Sequence, residues 1–185
     1  MSISDMDVSG HLLAEARLLR RRFAHTAPQP WDAVTASGEL SVQLGHLALC
    51  LLRHRDSSTV EWDDPARPLS EIGDELADVL LAILSICALT DTDPLPDAGP
   101  PTGDSDSGDA YLRLVMACGR LSEAALVKLG YRHQPEGRPP SIARDAGVAL
   151  RCCAALADRL DLDLLAEFTT MAADAHAFLD RQGTP

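Results

Sequence analysis

Aromatic side chains are scarce in this 185-residue chain, at 4% against 46% hydrophobic residues overall. Strands draw on aromatic and β-branched residues, so this scarcity argues against a β-rich fold. Dominant Ala and Leu suit packed helices. Positive charge is also short. The formal net charge of −12 argues against a grip on nucleic-acid polymers, which relies on Lys and Arg neutralising phosphates. A nucleotide substrate stays open, because a bound cation inverts the local field. Cys50, Cys87, Cys118, Cys152 and Cys153 form no Cys-x-x-Cys pair and no zinc-type spacing. They are expected to be small buried thiols of a reduced, cytoplasmic protein. Residues 2–10 are polar and acidic and do not read as a signal peptide. The longest apolar run, 79–89, is broken by Ser85 and too short to span a membrane. The expectation is a soluble protein with no membrane partner, long enough to bury a substantial core.

What the chain does have is a split acidic motif. Ser37-Gly38-Glu39-Leu40 is followed, about thirty residues on, by Glu71-Ile72-Gly73-Asp74-Glu75-Leu76-Ala77-Asp78-Val79-Leu80. Apolar periodicity predicts helices over 8–25, 31–53, 69–89, 110–129, 141–160 and 162–181. On the third of these, Glu71, Glu75 and Asp78 fall on one stripe beside the apolar stripe of Ile72, Leu76, Val79 and Ile83. Carboxylates bordering buried surface cost desolvation and mutual repulsion, which a divalent cation would offset. Glu39, Gln43 and His46 share a stripe of the second helix. Arg17, Arg20, Arg21 and Arg22 make the end of the first helix basic, where they suit the helix dipole or reach a phosphate.

"ASGELSVQLGH" and "EIGDELADVLLAIL" together resemble the MazG-like, all-α nucleoside triphosphate pyrophosphatases. In that family a Glu-x-x-Glu on one helix and a Glu-x-x-Asp on the next hold magnesium. The resemblance therefore implies Glu39, Glu75 and Asp78 as metal-holding catalytic residues, with Glu71 as a further ligand. Ala36 stands where the family has its first glutamate. Magnesium, or manganese in its place, is the implied cofactor, and a nucleoside triphosphate or related nucleotide the implied partner. The implied reaction releases pyrophosphate and leaves a nucleoside monophosphate, in a weak or specialised form. His46, Gln43 and Trp31 are the candidate substrate contacts, the histidine at a family position near the base. Trp31 and Trp62 flank the helices, where packing competes with a base pocket. An inactive helical scaffold or regulator, and a sensor that binds nucleotide without cleaving it, stay open beside the enzyme.

"AVTASGELS" from Ala33 recurs as "LVMACGRLS" from Leu114, which sets Arg120 against Glu39 at an offset of 81. "SEIGDELADVLLAIL" from Ser70 aligns with "PSIARDAGVALRCCA" from Pro140, which sets Asp145 against Glu75 and Val148 against Asp78 at an offset of 70. The second inter-helix loop is thus expected to be about eleven residues shorter. This reads as two tandem copies of one helix pair, the second stripped of its acids. The expected architecture is an all-α bundle, a pseudo-dimer of two MazG-like helix pairs plus terminal helices. Residues 1–90 hold the acidic repeat, 91–109 a mobile Pro/Gly/Asp/Ser linker, and 110–185 the degenerate repeat packed on the first. Family members pair helices between subunits. A duplicated chain could make that pairing internally, and leftover apolar surface keeps a homodimer open.

Overall fold

A computed structural model describes residues 3–58, 62, 64, 69, 71–96 and 106–184, with side chains from Gly10 onward. Among the described residues there are six helices: α1 (Ile3–Phe23), α2 (Ala33–His54), α3 (Ile72–Leu89), α4 (Ser107–Lys128), α5 (Ile142–Arg159) and α6 (Leu164–Arg181). Among the described residues there is no strand, and no helix is long and apolar enough to cross a membrane. The all-helical architecture matches the expectation from the aromatic-poor, Ala/Leu-rich composition.

Helix ends are written locally. The Asp32 carboxylate accepts from the backbone N–H groups of Val34 (2.9 Å) and Thr35 (2.8 Å) and caps α2. Asp106, Ser141 and Asp163 cap α4, α5 and α6 in the same way. Each satisfies a donor that the first helical turn leaves without a partner. At the other end, α2 to α6 each turn off through a residue of positive φ: Asp56, Asp91, Gly130, Asp161 and Gly183. The next N–H then reaches back to a carbonyl in the last turn, as in Thr92 N to Cys87 O at 3.0 Å and Leu162 N to Ala157 O at 3.0 Å. These are Schellman closures, and aspartate is among the few side chains that accept the left-handed region.

Helix α3 is the centre of the molecule. It packs against α2, α5, α1 and α6, while α4 packs against α5 and α2. Helices α2, α3, α5 and α4 therefore close a four-helix bundle, with α1 and α6 laid on the outer side of α3. Being surrounded, α3 is buried on almost every face, from Gly73 to Cys87. Only Asp74 and Asp78 escape burial within that stretch. A helix apolar all round is what a central position requires. α1 and α6 are tied together by Arg22, which donates to Asp180 Oδ1 (2.5 Å) and contacts His176 Nδ1 (2.7 Å), and by His176 Nε2 with Glu15 Oε1 (2.5 Å).

The two hairpins correspond closely. α3 and α5 each have 18 residues, and Ile72 to Ile142, Leu89 to Arg159 and the left-handed Asp91 to Asp161 all differ by 70. α2 and α4 each have 22, but their ends, Ala33 to Ser107 and His54 to Lys128, differ by 74 rather than 81. Seven residues is two helical turns, which leaves the same face inward, so apolar strings cannot tell the two registers apart. The connections run 55–71 and 129–141, a difference of four residues, not eleven.

Two stretches depart from expectation. Helix α3 begins at Ile72, not at 69, because Glu71 is its extended N-cap with φ −102° and ψ 105°. Of the 91–109 segment, residues 97–105 lie outside the described residues. Its first part is strapped to α5 by Leu95 N donating to Ala143 O (2.8 Å) and Arg151 Nη1 donating to Pro96 O (2.6 Å).

Candidate functional site

A cavity of about 660 Å³ opens between the end of α1, the start of α2, the outer face of α3 and the second half of α6. Arg20, Phe23, Trp31, Ala36, Glu39 and Gln43 line it from the first two helices and the turn between them. Asp74, Asp78, Asp174 and Phe178 line it from α3 and α6. The two residues between Gly73 and Cys87 that escape burial are therefore two acids that face this space. Four carboxylates and one guanidinium share a wall that is otherwise largely apolar.

The sequence-predicted residues divide into three groups. Glu39, Gln43, Asp78 and Trp31 come together on the cavity. Glu75 does not line it. It is 5% exposed, and its Oε2 lies 3.4 Å from His46 Nδ1. His46 borders a separate, smaller cavity with Trp62. Glu71 is exposed at the N-cap of α3, off the helical stripe with Glu75 and Asp78 that regular periodicity predicts. The physical reason is that a cap residue has β-region φ/ψ and leaves the 100° progression.

A hydrogen-bonded chain still joins the buried pair to the cavity. Gln43 Nε2 donates to Glu39 Oε1 at 2.7 Å, and His46 Nδ1 lies 3.1 Å from Gln43 Oε1. With the amide oriented in this way, Gln43 Oε1 is an acceptor, so His46 carries its proton on Nδ1. The same Nδ1 faces Glu75 Oε2, so His46 sits between the buried carboxylate and the Gln43–Glu39 pair on the cavity wall. A similar close approach of an acid and a basic side chain lies in the second hairpin. At the structural offsets His46 falls on Arg120 and Glu75 on Asp145, and Arg120 Nε lies 3.8 Å from Asp145 Oδ1. Asp145 also holds Arg144 Nε at 3.1 Å and accepts from Ser141 N at 2.9 Å.

Sequence reasoning passed over Asp74 and Asp174 as site residues, and named Arg20 only within its basic cluster. Asp74 and Asp78 are four apart and share a helix face, a signal present in the motif itself. Nothing in the sequence brings Asp174 to α3, because that meeting depends on where α6 docks. The Asp74 carboxyl is held above the usual carboxylate range, first by desolvation and then by the charges of Asp174 and Glu71. The Arg20 guanidinium is pushed down by burial, while Glu39 and Asp78 act in the opposite direction.

No family model, curated protein or solved structure matches the chain. The chemistry of the site therefore rests on its own residues. Among the described residues no three His, Cys, Asp or Glu side chains converge closely enough to hold an ion by themselves. Magnesium does not require that. It keeps several waters and is commonly held by one or two carboxylates together with substrate phosphates. Glu39 and Asp78 supply two hard oxygen donors from successive helices, and Asp74 and Asp174 add two more carboxylates to the same wall. The donor set fits a hard divalent cation.

Proposed function

We propose that the chain is a magnesium-dependent nucleoside triphosphate pyrophosphohydrolase. The observation that carries the proposal is the meeting of Glu39 and Asp78 on one cavity with an aromatic wall. In this reading Glu39 and Asp78 hold the cation, and Asp74 replaces Glu71 and Glu75 as the further acid at hand. The bound cation would neutralise the phosphates and activate a water. Attack of a water on the α-phosphorus would break its bond to the oxygen that bridges to the β-phosphorus, giving a nucleoside monophosphate and pyrophosphate. Glu75 is a positioning residue here, acting on Glu39 through His46 and Gln43. Trp31 offers a ring face for a base, and the net acidity of the wall favours a nucleotide that arrives with its cation.

The second hairpin fits a degenerate copy that serves as the internal partner of the first. At the structural offsets Glu39 and Asp78 fall on Arg113 and Val148, so a second copy would have lost the metal acids, with Arg120 and the buried Asp145 standing where His46 and Glu75 stand in the first.

A second reading, a nucleotide binder that does not cleave, is favoured by Ala36. That residue is buried and lines the cavity where the resembling family carries a glutamate. Pyrophosphate release across the common nucleotides, with magnesium or manganese, tests both. Turnover lost in Asp78→Asn and raised in Ala36→Glu supports the enzyme. The Ala36→Glu side chain can enter the cavity, at a cost of about 1–3 kcal/mol in metal-free stability from desolvation and like-charge repulsion. Tight nucleotide binding with no release in wild type or Ala36→Glu selects the binder. A protein that shows no binding and no release refutes the proposal.

A further inference from the structure

Arg20 is the cation among the described residues that line the acidic cavity. Its guanidinium carbon lies 4.9 Å from the Phe23 ring centre and 4.6 Å from that of Trp31. Its Nε is buried and makes no hydrogen bond among the described residues. A guanidinium in a protein interior ordinarily takes a carboxylate in a bidentate grip. Arg20 instead stacks on two rings, and Glu39 and Asp78 act on it through space. It is stacked, and its hydrogen-bonding capacity is not used up.

We propose that Arg20 is a built-in counter-cation, which competes with the divalent metal for Glu39 and Asp78 and turns to the anionic ligand once the metal has taken those carboxylates. The inference rests on the metal-site reading above. Without metal, the guanidinium offsets part of the repulsion among Glu39, Asp74, Asp78 and Asp174. A cation held between Glu39 and Asp78 removes that attraction and repels Arg20. The same cation brings phosphate oxygens, and the planar N–H fork of arginine matches them. Ala36 sharpens the effect, because with one carboxylate fewer the single guanidinium cancels a larger share of the wall's charge. Metal affinity in this chain is therefore set by Arg20 as well as by the acids.

The test measures manganese binding to the full chain by electron paramagnetic resonance and by titration calorimetry, first with the metal alone. Arg20→Met keeps a long side chain against Phe23 and Trp31 and removes the charge. It should bind manganese about tenfold more tightly than wild type, the size of a through-space interaction between partly solvated charges. Arg20→Lys keeps the charge and should stay near wild type. With manganese saturating, affinity for inorganic pyrophosphate should fall about tenfold or more in Arg20→Met. A packing role for Arg20 would not move the two affinities in opposite directions. Should Arg20→Met fail to fold, Arg20→Gln reads the same loss of charge. Metal binding by the variant alone supports the inference, as the release of a blocked site. Equal manganese affinity in wild type and the charge-removed variant overturns the inference and leaves the metal site standing. If neither binds manganese, the metal-site reading fails and the inference with it.

Discussion

Replacing Gly147 by alanine sets two effects of opposite sign against each other. Gly147 lies inside α5, where alanine is favoured over glycine by about 1 kcal/mol. The structure opposes that gain. A Cβ at 147 would run into the carbonyl oxygen of Leu95, a backbone atom that cannot rotate away. The 93–96 strap would have to lift, and it is held by Leu95 N to Ala143 O and Arg151 Nη1 to Pro96 O. A neutral hydrogen bond of this kind contributes about 0.5–1.5 kcal/mol, and one from a charged donor about 1.5–3. Overpacking against fixed backbone costs about 1–3 kcal/mol. The clash outweighs the propensity, and Gly147→Ala should destabilise by about 1–2 kcal/mol, a fall of about 3–6 °C in thermal midpoint for a domain of this size. Gly119, inside α4, is the control, since a Cβ there meets nothing within 4 Å. Gly119→Ala should raise the midpoint by about 2–4 °C. Urea titrations of wild type and both variants, with amide exchange at Leu95, separate the cases. If Gly147→Ala stabilises as Gly119→Ala does, the strap does not lie on α5 and the reasoning fails.

Two further outcomes follow from the protonation chemistry of buried and clustered groups. The raised pKa of Asp74 means that the folded state holds its proton more tightly than the unfolded state does. Stability is therefore lost as pH rises from the ordinary carboxylate range through the raised value. In chelator, Asp74→Asn should stabilise the protein at pH 7 and make little difference below pH 4. The gain stays below about 1 kcal/mol because Asp74 is exposed and screened, and a loss of stability at pH 7 would contradict the argument. The five cysteines are free and buried. Burial pushes Cys87 up to about 12 and raises Cys118 and Cys153 well above the usual thiol range. At pH 8 a thiol of that pKa is about 10⁻⁴ ionised, against roughly a quarter for free cysteine. Iodoacetamide should label all five in denaturant and Cys87 only at the rate of unfolding; prompt native labelling of Cys87 would refute this.

Much of the molecule is legible locally. Ala- and Leu-rich periodicity declares helices, because each segment must bury one apolar face. Their ends are set by short-range chemistry, with Asp32, Asp106, Ser141 and Asp163 satisfying first-turn donors and Asp91 and Asp161 accepting a left-handed turn. The setting of Glu39 beside Asp78 is implied by the family resemblance of the acidic motif and not by spacing along either helix. The register of the second hairpin does not. Sliding a helix by seven residues preserves its buried face, and only the helix ends, set by the caps, separate an offset of 74 from one of 81. The site divides for a related reason. Neighbours on α3 point to different partners, Glu75 towards α2 and Asp74 and Asp78 towards the cavity, and which partner lies in which direction is a property of the packed bundle. Arg20 from α1 and Asp174 from α6 belong to the cavity because both helices dock on the outer side of α3, a meeting across the chain that no local pattern encodes. The sequence by itself determined helices, caps and the acidic motif through interactions a few residues long; tertiary packing decided which acids share a cavity with a cation, because that depends on distances between segments far apart in the chain.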